Sequence, residues 1–293
     1  MIMPHTYKES AATPLTATSP MIKFILLSTQ RSGTNFTVQW LNSHPQVRCH
    51  FELFLRKHRR QDGFYPYCDH HPLRWAWFNL YKKIRRYQYS ALMIKPLLKQ
   101  FLDTLYQPGY PGPERLFAGT HYAFQSRDPH QEKAVGFKLM YDHIEYFPTL
   151  INLIKNERIH VLHLIRKNKL KIVLSNCARK LRATLTPAAA LLPLKFAVDT
   201  STLLTKLQRQ NDNENKMRVL FSDNPYLEIT YEDFFANHDQ TARMIENFLN
   251  VTNDGWCWPS LQKLNPNSVK EILANYAEVT TLLKNTAFEK YLD

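Results

Sequence analysis

Glycine is scarce in this chain, with seven among 293 residues. One that falls in a tight polar turn therefore carries more weight than a glycine usually would. Cysteine is sparse as well: Cys49, Cys68, Cys177 and Cys257 stand far apart with no CxxC pair. That spacing argues for reduced structural thiols in a cytosol-like compartment and against a disulfide scaffold. Long apolar runs are missing. The longest near the N-terminus, "MIKFILL", falls far short of the roughly 18 residues a membrane span requires. There is no HExxH and no paired-carboxylate ligand set, so no metal is expected, and "CDHH" at 68–71 reads as an ordinary loop. Acidic residues are outnumbered, 25 Asp and Glu against 38 Lys and Arg, which leaves a formal charge of +13. An anionic partner follows from that balance, but nucleic acid, acidic lipid and nucleotide all satisfy it.

What is present reads as globular. Apolar residues make up 44% and aromatics 13%, and a chain of this length can bury a full core. Residues 1–20 are rich in Thr, Ser, Pro and Ala without a long apolar centre. They are expected to form a disordered tail rather than a signal peptide, with Met21 available as a functional start. No low-complexity linker divides the rest, so 21–293 is expected to be a single domain.

Within it, 21–28 reads as a buried strand and 35–43 as a helix that stops before Pro45. "QVRCHFELF" at 46–54 is a short strand or the loop leaving one. From 55 to about 130 cations mix with aromatics around a turn cluster, "YQPGYPGPERLF", with an amphipathic helix at about 91–105. This stretch is expected to be a mostly helical insertion covering a site. Strand character returns at 134–141, 159–166 and 225–234. Helical patterns lie in "KLKIVLSNCARKLRA" and "QTARMIENFLNV", and a late helix begins at Asn267 or Ser268. Strands alternating with helices predict an α/β fold with a parallel sheet.

The turn after the first strand is the most informative stretch. In "STQRSGTNF", an apolar strand stops at Ser28 and a helical pattern starts after Gly33. Backbone N–H groups at such a helix start point at one spot, and the helix dipole favours negative charge there. Gly33 permits close backbone approach. Ser32, Thr34 and Asn35 add side-chain donors, and Arg31 places a positive fork beside the anion. No lysine follows Gly33 and no glycine stands where a Walker A motif needs its first, so an ATPase or kinase loop is not expected.

"QRSGTNF" after an apolar strand resembles the 5′-phosphosulfate loop of sulfotransferases that use 3′-phosphoadenosine 5′-phosphosulfate (PAPS). More specifically it is similar to the bacterial carbohydrate sulfotransferases, the group of the nodulation-factor and trehalose-lipid enzymes. "HVLHLIRKNKLKIVLSNCARK" at 160–180 is similar to that family's 3′-phosphate motif, a strand ending in basic residues with a serine eight or nine positions on. "ELF" at 52–54, "GFKLMYDH" at 136–143, "EITYEDF" at 228–234 and "KLNPNS" at 263–268 follow in the family's order. The resemblance implies a P-loop-like three-layer fold, a central parallel sheet flanked by helices.

It also implies roles. Arg31, Ser32, Gly33, Thr34 and Asn35 would hold the 5′ group, and Ser175 the 3′-phosphate. The family's usual 3′-phosphate arginine falls at Lys167 here, with Arg166 one place earlier, so either residue is open for that contact. Lys263 resembles the basic residue of a late loop that closes over the nucleotide. For the general base the resemblance points to Glu52, with His50 as second choice. A plain surface pairing of Glu52 with Arg56 stands beside that reading. The implied reaction is in-line sulfuryl transfer from PAPS, without a metal, to a hydroxyl of a carbohydrate or glycolipid.

The acceptor pocket is expected from the 55–130 region, with Tyr65, Tyr67, Trp75, Trp77 and His121 as sugar-binding groups or, more simply, as the insertion's own core. "LRKHRR" and "KKIRR" would suit a cytoplasmic protein held against anionic lipid at the inner membrane face. Residues 55–90 would also suit single-stranded nucleic acid. That alternative leaves the phosphate-facing loop unexplained, so no nucleic-acid partner is expected. A sulfotransferase-like scaffold without activity is the remaining alternative.

Overall fold

The computed structural model describes residues 20–55, 63–69, 76, 87–107, 128–252, 255–259 and 268–292. Five strands, β1 (Ile22–Ser28), β2 (Val47–Glu52), β3 (Ala134–Met140), β4 (His160–Ile165) and β5 (Tyr226–Thr230), form one parallel sheet in the order β2-β3-β1-β4-β5. Helices lie on both faces, giving the α/β architecture that the alternation of elements predicts. They are α1 (Thr34–Ser43), α2 (Phe64–Asp69), α3 (Tyr87–Leu105), α4 (Tyr141–Tyr146), α5 (Thr149–Asn156), α6 (Lys169–Arg182), α7 (Pro187–Ala190), α8 (Leu203–Leu220), α9 (Tyr231–Ala236), α10 (His238–Leu249), α11 (Val269–Ile272) and α12 (Tyr276–Leu283).

β1 is paired on both sides, which is why its sequence is a continuous apolar run rather than an alternating one. Its side chains still divide between two cores. Phe24 and Leu26 pack with Val38, Trp40, Phe234 and Ile245 on the face of α1, α9 and α10. Ile25 and Leu27 pack with Leu97, Phe101, Leu150 and Phe221 on the face of α3, α5 and α8. A third cluster joins Leu170, Val173 and Leu174 of α6 to Leu203, Leu207, Ile272 and Leu283. Because β2 and β3 lie to one side of β1 while β4 and β5 lie to the other, the chain changes direction at the carboxyl end of β1. A crevice at such a switch point is the usual ligand position in open parallel sheets.

Three elements differ from the sequence reading. The strand expected over 225–234 stops at Thr230, whose side chain accepts from the Asp233 N–H and starts α9. "TYED" is a capping sequence, and that local bond ends the strand. Helix α8 has no clear apolar stripe because one of its few buried residues is Glu214. Finally, α3, expected within an insertion covering a site, packs into the sheet's own core: Leu97, Leu98, Phe101, Leu102 and Leu105 are wholly buried there. The N-terminal tail at 1–19 lies outside the described residues. No helix among the described residues is long and apolar enough to cross a membrane.

Candidate active site

The turn from β1 to α1 contains two residues in the left-handed region, Arg31 at φ 69° and Gly33 at φ 88°. A non-glycine residue at positive φ is uncommon and concentrates at functional turns. Gly33 has a steric reason as well, since a Cβ there would stand 2.2 Å from the Tyr231 ring. Helix α1 starts at this glycine without a side-chain cap and without an acidic residue in its first turn. Its first N–H groups are therefore available to an anion. Ser32 is fully buried, and its hydroxyl has no hydrogen-bond partner among the described residues.

Arg31 Nε donates to Ser175 Oγ at 2.8 Å, joining the first turn to the middle of α6. Arg166, the residue after β4, donates from Nη1 to the Arg31 carbonyl at 3.2 Å, and its guanidinium lies 5.0 Å from the centre of the Tyr231 ring. Burial lowers the pKa of Arg31, and the charges of Arg179, Arg166 and Arg182 add to that. Arg166 is lowered by burial too. A cluster of guanidiniums that repel one another favours an anion among them.

Of the two residues open for the 3′-phosphate contact, Lys167 faces another partner. Its Nζ lies 2.6 Å from Asp233 Oδ1, and its backbone N–H donates to Glu232 Oε2 at 2.8 Å.

A second set of contacts runs from the same turn to β2. Lys138 Nζ donates to Asn35 Oδ1 at 2.8 Å and lies 2.6 Å from Glu52 Oε1, although the lysine side chain is only 4% exposed. His143 Nε2 is 3.8 Å from Glu52 Oε2, and His143 Nδ1 accepts from the Met140 N–H at 3.4 Å. The ring proton therefore sits on Nε2, toward Glu52. Burial pushes the His143 pKa below its ordinary value, which favours the neutral ring. Glu52 keeps 21% of its side chain exposed, enough to meet a substrate.

From the sequence, Lys138 in "GFKLM" reads either as pointing into the same cleft or as pairing with a neighbour, and His143 is given no role. The signal for Lys138 was a lysine in an otherwise apolar strand, "AVGFKLM", a position that is costly unless the charge is paired. His50, the second choice for the base, has no exposed surface inside β2 and stands beside Phe137, one strand position away from Lys138. Arg56 and Lys263 lie outside the described residues, as do Trp75, Trp77 and His121. Tyr65 is buried beside Phe64 and Phe147, and Tyr67 packs on Phe101, so both belong to the core around α3. Among the described residues no group of His, Cys, Asp or Glu is placed to hold a metal ion.

An aromatic shelf adjoins the turn. Phe36 lies 4.9 Å from Phe235 and 5.4 Å from Trp258 between ring centres. Phe235 and Trp258 are about half exposed, at 47% and 50%. Such rings offer stacking area to a planar ligand.

Behind the site, buried and half-buried polar groups hold β4, β5 and α6 together. His163 contacts the hydroxyls of Tyr141 and Tyr226 through its two ring nitrogens. Arg218 grips Glu228 with two hydrogen bonds of 2.7 and 3.0 Å. Lys169 Nζ donates to Glu214 Oε1 and to the Arg166 carbonyl, both at 2.5 Å. The backbone that presents Arg166 is thus fastened from inside the molecule.

The profile described as "Sulfotransferase family" matches residues 24–255, a span that contains both sets of contacts. No curated protein sequence matches the chain. Solved structures similar to it include the sulfotransferase from Alicyclobacillus acidocaldarius, at 13% identity and TM-score 0.41 over 90% of this chain and 91% of that one. The sulfotransferase domain from the curacin biosynthetic pathway has 14% identity and TM-score 0.43 over 87% and 82%. That of the Synechococcus PCC 7002 olefin synthase has 19% identity and TM-score 0.38 over 85% and 78%. Structural likeness this distant carries no weight here; the profile match does, because it spans most of the chain, and the protein belongs to the sulfotransferase family.

Proposed function

We propose that the protein moves a sulfuryl group from PAPS to a hydroxyl of a carbohydrate or glycolipid. The observation that carries this reading is the hydrogen bond between Arg31 and Ser175. Together with the bond from Arg166 to the Arg31 carbonyl, it puts the start of α1, the basic end of β4 and the middle of α6 side by side, which suits an adenosine bearing groups at both its 5′ and 3′ positions.

The residues fit such a donor. The buried Ser32 hydroxyl and the uncapped start of α1, with Thr34 and Asn35, suit the 5′ group. Arg166 and Ser175 suit the 3′-phosphate, with Lys167 left to Asp233. Phe36, Phe235 and Trp258 suit the base. When bound, the donor supplies an electrophilic sulfur with a phosphate leaving group.

Glu52 takes the proton from the acceptor hydroxyl as the new oxygen–sulfur bond forms and the bond from sulfur to the bridging oxygen breaks. Lys138 holds Glu52 and Asn35 together, which sets the base and the turn at one spacing. Lys138, Arg31 and the first amides of α1 offset charge that develops on the leaving oxygen. The family match and this geometry support sulfuryl transfer; the carbohydrate acceptor rests on the resemblance of the motifs.

The test is thermal stabilisation by 3′-phosphoadenosine 5′-phosphate (PAP) set against AMP and ATP. A shift greatest for PAP is expected, followed by transfer of labelled sulfate from PAPS to members of a glycan panel. A shift no larger for PAP than for AMP would remove the case for a 3′-phosphate site.

A further inference from the structure

Between Ile159 and Val198 the sequence holds eight Lys and Arg residues and no Asp or Glu. Lys167 and Lys169 of this stretch pair with Asp233 and Glu214. Arg179, Lys180 and Lys195 instead stand at the surface around the end of α6 and the turn after α7. Among them lie apolar side chains that the core leaves out. Leu191 and Leu192 are 70% and 61% exposed, and Leu181 and Leu185 are each 37% exposed.

The segment has a definite shape. Thr186 caps α7 by accepting from the Ala189 N–H, and Pro187 stands in its first turn. Arg182 then donates from Nε to the Ala190 carbonyl at 2.9 Å and from Nη2 to the Leu192 carbonyl at 3.5 Å. The leucines are thereby held outward on a turn fastened to α6, with cations beside them. Clustered leucines open to water mark a contact surface.

We propose that this face, formed by the end of α6, α7 and the turn that follows, docks on an anionic lipid bilayer. Leu191 and Leu192 enter the boundary between headgroups and acyl chains, while Arg179, Lys180 and Lys195 lie against the headgroups. Charge selects the bilayer over a second copy of the chain. A two-fold contact would place this patch on itself, cation against cation, with no carboxylate in the stretch to answer them. A bilayer supplies both the apolar depth and the negative charge. Arg179 and Arg182 are also close enough to Arg31 for their charges to act on it, so the face borders the candidate active site. On the sulfuryl-transfer reading, which this last step rests on, docking favours an acceptor hydroxyl carried by a lipid.

The experiment is flotation of the full chain with vesicles of phosphatidylglycerol mixed into phosphatidylcholine, against phosphatidylcholine alone. Binding is expected to the first, to weaken as salt is raised, and to be slight for the second. The Leu191→Asp/Leu192→Asp variant should lower the bound fraction about tenfold, and Lys195→Glu should lower it as well. Both alter exposed side chains, so an unchanged thermal melt and an unchanged shift with PAP certify the fold. Equal binding by parent and double variant overturns the proposal, as does equal binding to both vesicle types. A double variant that converts a dimer to a monomer but still floats overturns it in favour of self-association. Absence of any PAP shift in the parent chain would strike the donor reading and leave the vesicle result standing.

Discussion

Lys138 and Glu52 meet at 2.6 Å on neighbouring strands whose register slips between His50 and Glu52. Under regular pairing Phe51 would stand opposite Lys138, and Glu52 would turn toward the α3 face with Leu139. The irregularity re-aims one side chain, as β-bulges beside active sites do. It brings the carboxylate to the face where α1 begins, and Lys138 completes the link through Asn35.

From this contact, Glu52→Gln is expected to leave PAP affinity within about twofold while turnover falls about 10²–10⁴-fold, the usual scale for losing a general base. Lys138→Met should cost a comparable amount, and the double variant little more than either single one, because the pair acts as a unit. Steady-state kinetics beside calorimetric binding of PAP decides this. Equal losses in binding and turnover for Glu52→Gln would reduce that residue to a structural part.

Gly33→Ala places a methyl group 2.2 Å from the Tyr231 ring at a positive φ. The turn must then shift, and PAP-induced stabilisation should disappear, along with about 1–3 kcal/mol of fold stability. Tyr231→Ala in the same chain relieves the clash but not the backbone conformation. Partial recovery of stability without recovery of PAP binding is therefore expected, as measured by denaturant unfolding and thermal shift.

Arg166 and Lys167 are separable by ligand. Arg166→Ala should weaken PAP about 10–100-fold and AMP hardly at all, the loss expected for a charge-assisted contact to one phosphate. Lys167→Ala should change either by less than about threefold, since its partner is Asp233 at an exposed position. A greater loss for Lys167→Ala would reverse the assignment.

Stability should fall in acid in two stages. Burial lowers the His163 and His143 pKa values below 6.5, so the unfolded chain binds more protons and stability declines as pH drops past that value. Burial opposes ionisation of Glu228, yet the His163 ring and Arg218 bring its pKa down to about 2 from 4.5. Its contribution is present above pH 4.5 and lost as pH falls toward 2. Glu214, whose pKa burial raises, works in the opposite sense. Glu228→Gln should flatten the lower stage by on the order of 2 kcal/mol, allowing for partial exposure. Urea titrations between pH 3 and 7 measure both stages, and an unchanged lower limb in the variant would refute the assignment to Glu228.

Local chemistry made much of this protein legible from its residues. The apolar run of β1, the glycine where the chain must turn left-handed, and the helical spacing after it are short-range properties. They locate a turn suited to an anion without any knowledge of the rest of the fold. The acid-free stretch from 159 to 198 is likewise open to reading. The site itself depends on contacts between residues far apart in the chain. Lys138 and Glu52 are joined by a strand register and its slip, and Arg31 and Ser175 by the packing of α6 beside the β1 turn. Which of Arg166 and Lys167 faces the turn depends on where Tyr231 and Asp233 fall once α9 is capped. Side-chain periodicity specifies which face of an element is buried; only packing against the neighbouring element decides what that face meets.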